Sequence, residues 1–211
     1  MLPASLLRSR NSVFAIALAA LALIPAPLLS GASAPARARQ GMVVTQDEIG
    51  SKAGLEVIRT GGNAIDAAVA TAFALAVTHP TAGNIGGGGF IVYQPANGPV
   101  GSIDGREKAP GVASPGQFLG PDGKPMPFMQ AATGGRSVGV PGNVALAAEA
   151  HKKWGKLPWA TLFEPAIKLA EGFTISPTMA RFIAFGQDSL KQAGPEGRAL
   201  YYDKDGAPLK A

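Results

Sequence analysis

The chain has no cysteine, which excludes disulfide cross-links, a thiolate nucleophile and any cysteine-ligated metal. Imidazole is almost as scarce. The only histidines, His79 and His151, lack a second histidine or a close carboxylate pair at metal-ligand spacing, so no metal site is expected. Charge is also thin, at 16% of residues. Its densest basic run, Lys152, Lys153 and Lys156, falls at the end of an expected helix, where cations complement the helix dipole. A nucleic-acid partner is not expected, because that function needs a broad basic stripe with stacking aromatics.

What the sequence does have is apolar surface and loop formers. Hydrophobic residues make up 46% of the 211 positions, with 28 Gly and 18 Pro, a globular composition with many connections. At the start, Arg8 and Arg10 precede an apolar run from Val13 to Leu29, and the small residues Ala32, Ser33 and Ala34 follow. Basic, then apolar, then small is the order of a secretory signal peptide, and Pro25 and Pro27 interrupt a run already short for a membrane span. Residues 1–34 are therefore expected to be a signal, 35–41 a mature leader and 42–211 the folded domain. Export to the periplasm or the extracellular space follows. Removing the signal lowers the formal charge from +5 to +3, because it carries two arginines and no acid.

Within the domain, Met42 to Val44 suit a strand. Ser51 can cap a helix that stops at Gly61 and Gly62, and Asn63, with Asp66 in the first turn, can cap the next. That second helix, AAVATAFALAV, is apolar on every face and ends before Pro80, so it must be buried. The glycines Gly86 to Gly89 lead into Phe90 to Tyr93, and Asn97-Gly98 turns the chain toward a returning strand, Val100 to Asp104, as a β-hairpin. From Gly105 to Gly142 the chain reads as loop with one strand, Arg136 to Val140. Helices are expected from Pro141-Gly142-Asn143 to Trp154-Gly155, over Trp159 to Glu171 with a restart at Pro165, and from Pro177, with Met179, Phe182, Ile183 and Leu190 on its apolar face. Strands framed by buried helices imply a layered α/β domain of the α+β kind.

Few of these residues carry chemistry by themselves. The glycine run follows a helix and precedes a strand, whereas a phosphate cradle needs strand, glycines and then helix. Arg106 lies just past the hairpin. It can grip a carboxylate through paired hydrogen bonds, or form an ordinary ion pair with Glu107 or another acid. His79 reads as a loop residue before Pro80, and Ser102 and Ser137 lack any base partner. No self-sufficient catalytic set is present.

Residues 52–110 contain KAGLEVIRTGGNAIDAAVATAFALAVTHPTAGNIGGGGF and then IDGREKAP. TGGRSVGVPGNVAL and WGKLPWATLFEPAIKLAEGF follow between Thr133 and Phe173. Together these closely resemble the large-subunit region of γ-glutamyltransferases. The resemblance implies an N-terminal-nucleophile hydrolase fold, an αββα sandwich, present here in part. It implies an exported proenzyme that cuts itself into two chains and uses the exposed N-terminal Thr of the small chain as nucleophile. The γ-glutamyl group of glutathione would pass to water, an amino acid or a peptide, without metal or organic cofactor. Arg106 matches the family arginine that holds the substrate α-carboxylate, and Glu107 matches its neighbour in a supporting role. No catalytic residue is expected in this chain, since the nucleophile belongs to a small subunit derived from the same precursor. A cephalosporin or other N-acyl amide acylase of the same fold, and a non-catalytic exported remnant, are the alternatives. The segment Gln46 to Ile49 departs from the His-Pro type turn of many members.

Overall fold

The computed structural model describes residues 34–82, 84–186 and 194–211. The expected signal lies outside the described residues but for Ala34, and Leu190 lies outside them as well. The chain divides into two compact units, Met1–Gln40 and Gly41–Ala211. Of the first, residues 34–40 are exposed and carry no regular structure. Everything below concerns the second.

Helix α1, Glu48–Arg59, starts earlier than expected. Its cap is Asp47, whose Oδ1 accepts from the Gly50 amide at 3.0 Å and from the Thr78 hydroxyl at 2.9 Å. Ser51 lies inside the helix and bonds Thr45 instead. A carboxylate that caps one helix while accepting from the end of the next ties two elements together, which a serine cap at 51 could not do. The expected strand at Met42 to Val44 is likewise absent, because that segment has no ladder partner.

Helix α2, Ala64–Thr78, is capped as its sequence requires. Asn63 Oδ1 accepts from the Ile65 and Asp66 amides, and Asp66 returns the bond to the Asn63 amide at 2.9 Å. Asp66 is fully buried. Its oxygens also accept from the Lys156 and Leu157 amides at 3.0 to 3.2 Å. A buried carboxylate satisfied by several amides avoids the penalty of an unpaired polar group. It pins a distant loop to the start of the most buried helix.

That helix forms the core with Val69, Ala70, Phe73 and Ala74. Its alanines let neighbours approach closely, and Phe73 meets Phe163 at 4.3 Å and Trp159 at 6.0 Å between ring centroids. These aromatics belong to a 3₁₀ turn, Trp159–Phe163, that runs into a short helix, Glu164–Ala170, with proline in its first turn. The restart expected near Pro165 is therefore present.

The hairpin pairs β1, Gly89–Tyr93, with β2, Gly101–Gly105, antiparallel, Gly89 opposite Gly105 and Tyr93 opposite Gly101. Ile91, Tyr93 and Ile103 face the core. Phe90 and Val92 on the other face are 65% and 74% exposed. A helix we label α4, Asn143–Trp154, covers the inner face, with Trp154 against Tyr93 at 5.0 Å. The excursion between β2 and α4 holds a short helix α3, Phe128–Ala132, that sequence did not announce. The expected strand at Arg136 to Val140 is a 3₁₀ turn, Gly135–Ser137, followed by a single bridge between Val140 and Lys108. In chain order the remaining helices are α5, Glu164–Ala170, α6, Pro177–Phe185, and α7, Gly194–Tyr201. Among the described residues, no helix is long and apolar enough to cross a membrane.

Candidate carboxylate-binding site

Arg106 stands where the hairpin ladder ends, and the backbone on either side of it is held by main-chain contacts. Before it, Gly105 closes the register opposite Gly89. After it, Lys108 exchanges both backbone bonds with Val140, at 3.2 and 2.8 Å. Below it, the glycine loop and the start of α4 are joined: the Gly142 and Asn143 amides both donate to the Gly87 carbonyl at 3.0 Å, and Asn143 Nδ2 donates to the Asn84 carbonyl at 2.9 Å. The Gly87 carbonyl thus does the work of a cap for a helix whose N-cap residue, Gly142, has no side chain.

Close backbone approach is why glycine occupies this crossing. A Cβ on Gly88 would lie 2.5 Å from the Gly105 carbonyl and 2.7 Å from Glu107 Oε2. A Cβ on Gly142 would collide with the Gly105 carbonyl from the other side. No L side chain fits between these strands of backbone without displacing the segment that carries Arg106.

On this rigid base the Arg106 side chain is 60% exposed. Its Nε lies 3.4 Å from Glu107 Oε2. That oxygen is shut off from solvent and has no hydrogen-bond partner. The contact is therefore a charge pairing rather than a hydrogen bond, and Glu107 sits against the glycine loop rather than in water. Among the described residues Glu107 is the one charged partner of the guanidinium, so both Nη groups are left as donors. Arg106 also lines an open pocket of about 310 Å³, together with Asp104, Lys108, Pro141, Ala145 and Glu149. Glu149 is engaged by Lys153 at 3.1 Å. A planar guanidinium held from behind by a carboxylate and open in front suits a second, incoming carboxylate.

The other candidates are placed elsewhere. His79 is buried, lies 3.3 Å from the Thr81 hydroxyl and meets Phe182 edge-on. His151 bonds the Leu157 carbonyl at 2.8 Å and packs beside Trp159. Ser137 donates to the carbonyls of Ala132 and Gly134. Ser102 lies on the exposed face of β2. Among the described residues, no group of His, Asp or Glu is arranged to hold a metal ion. Sequence reasoning missed Asn84, Asp104 and Asn143, which shape the site; only Asp104, two residues before Arg106 at a strand end, carried a local signal.

Comparison with known proteins places this architecture. The family model described as gamma-glutamyltranspeptidase matches residues 50–211. The glutathione hydrolase proenzyme of Escherichia coli is 41% identical over 184 residues, covering 83% of this chain and 30% of that protein. The proenzyme of the same name from Bacillus subtilis is 44% identical over 174 residues, covering 82% and 29%. The crystal structure of Helicobacter pylori gamma-glutamyltranspeptidase superposes with a TM-score of 0.78 at 38% identity, over 84% of this chain and 50% of that one. This chain thus spans about three-tenths of the length of these two curated relatives.

Proposed function

The chain belongs to the γ-glutamyltranspeptidase family, with its N-terminal-nucleophile hydrolase fold, and on that premise we propose that it supplies the carboxylate-binding part of an exported γ-glutamyl acyltransferase and glutathione hydrolase. In this reading Arg106 holds the α-carboxylate of a γ-glutamyl donor such as glutathione. Glu107 supports it by fixing the guanidinium from the side of the glycine loop. The nucleophile is an N-terminal Thr of a small chain cut from the same precursor. It attacks the γ-amide carbon, the amine leaves with a proton, and water or the amino group of an acceptor resolves the acyl-enzyme. No residue of the present chain is assigned a part in that covalent chemistry.

The observation that carries the proposal is the combination at Arg106: neighbouring backbone clamped by glycine contacts, and a largely exposed arginine side chain on a residue that lines an open pocket. Anchoring a donor by its α-carboxylate fixes the amide relative to the nucleophile, and such positioning is a large part of catalysis. An acylase acting on chains without a carboxylate has no use for this arrangement.

The test is made on the active enzyme that carries this chain. Arg106→Ala removes two charge-assisted hydrogen bonds to the donor carboxylate, each worth about 1.5–3 kcal/mol, so KM for γ-glutamyl donors should rise by about 30-fold or more. Amides whose acyl group lacks a carboxylate should be hardly affected. Equal loss on both donor classes would sink the assignment. Intact mass of the native protein, with any copurifying chain, tests the partner: a Thr-starting second chain supports the two-chain enzyme, and a lone product ending at Ala211 supports the inactive remnant.

A further inference from the structure

Arg106 leaves the sheet at a point where its own amide has no ladder partner, because β1 begins at Gly89 and Gly89 already pairs with Gly105. The amide is taken instead by a side chain: Asp104 Oδ1 accepts it at 2.9 Å. Asp104 faces outward on β2, opposite Phe90, and the bond is exposed. We propose that Asp104 is a positioning residue for the carboxylate site, setting the direction in which Arg106 leaves the hairpin; this rests on the assignment of Arg106 made above.

The neighbouring constraints show why one hydrogen bond matters here. Gly105 is wedged between Leu146 and the backbone at Gly142, and Lys108 is bridged to Val140. The backbone is held at both flanks by main-chain contacts. The peptide joining Gly105 to Arg106 is the remaining hinge, and Asp104 closes it as a turn in which a carboxylate mimics the missing carbonyl. This is the one side-chain bond among the described residues that fixes the Arg106 amide. Since the bond is exposed, its loss should cost little global stability and should instead blur the direction of the guanidinium. Carboxylate recognition by a guanidinium depends on a planar, paired geometry, so a small rotation lowers affinity.

Two variants separate the turn from the charge. Asp104→Asn keeps an acceptor oxygen at the same reach, while Asp104→Ala removes it. In the active enzyme, Asp104→Ala should raise KM for a γ-glutamyl anilide about tenfold, the scale of one hydrogen bond to a charged group, with kcat within about twofold because the reacting atoms are untouched. Asp104→Asn should stay near wild type. Hydrogen exchange at the Arg106 amide should quicken in Asp104→Ala and not in Asp104→Asn. If Asp104→Ala gives no soluble enzyme, Asp104→Glu replaces it, since its longer side chain cannot close the same ring. An unchanged KM in the acceptor-less variant overturns the inference, as does an Asn variant as impaired as the Ala one, which would assign the charge rather than the turn. Arg106→Ala runs alongside as the reference. If it is silent, the carboxylate assignment itself has failed; if it responds and Asp104→Ala does not, only the positioning role has failed.

Discussion

The helical layer around α2 and the crossing of hairpin, glycine loop and α4 at Arg106 are assembled by different means. In the first, large side chains fill space: Phe73 lies between Trp159 and Phe163, and Val69 and Leu162 are fully enclosed. In the second, backbone meets backbone through Gly88, Gly105 and Gly142, and Arg106 beside the crossing lines a pocket. Burial stabilises the first region, at roughly 25 cal/mol per Å² of apolar surface removed from water. The second gains little from burial and much from exact placement. Damage to one should therefore read out as stability and damage to the other as affinity.

The largest effect that sharpens this contrast is expected in the core. Phe73→Ala should cost about 3–5 kcal/mol, the usual range for truncating a buried phenylalanine. Thermal or denaturant unfolding would measure the loss. The fraction that remains folded should bind γ-glutamyl donors as before, because Phe73 does not line the pocket at Arg106. A changed KM in folded Phe73→Ala enzyme would mean that the two regions are coupled.

The next effect is smaller and of the opposite kind. In Gly142→Ala the added methyl meets the Gly105 carbonyl, and backbone must shift to admit it. Overpacking of this sort costs about 1–3 kcal/mol. The displaced segment is the one that carries Arg106, so KM for γ-glutamyl donors should rise severalfold while most of the stability survives. Kinetics on donors with and without an α-carboxylate, paired with a melting curve, would decide it. Loss of stability with KM intact would show that the crossing is ordinary packing.

The same contrast governs what could be read from the amino-acid order. The side-chain region was legible: Asn63 and Asp66 announce a capping box, an apolar run on every face announces burial, and Asn97-Gly98 announces a hairpin. All three stand in the structure. Elements that owe their form to distant partners were not. Asp47 rather than Ser51 caps α1 because it also receives Thr78. Residues Phe128–Ala132 form a helix with no buried residue and hence no periodicity to detect. At the site, local spacing left Arg106 between a carboxylate grip and an ordinary ion pair, and the pair with Glu107 is present. Its open guanidinium depends on Gly87, Gly88 and Gly142 meeting across residues far apart in sequence. Resemblance to a family supplied what spacing could not.

The smallest stability effect, and the one that tests the limit of the contrast, is expected on the outer face of the hairpin. Phe90 and Val92 are exposed there on a sheet of two strands whose outer edges have no further strand among the described residues. Apolar faces and open edges of this kind favour self-association. Replacing both residues with Thr keeps strand-favouring side chains while removing the apolar face, so folding stability should change by no more than about 0.5 kcal/mol. Association of the 211-residue chain should fall, as measured by sedimentation velocity over a range of protein concentrations. Unchanged association would assign the adhesive surface elsewhere, whereas a large stability loss would mean that this face, like α2, is held by burial.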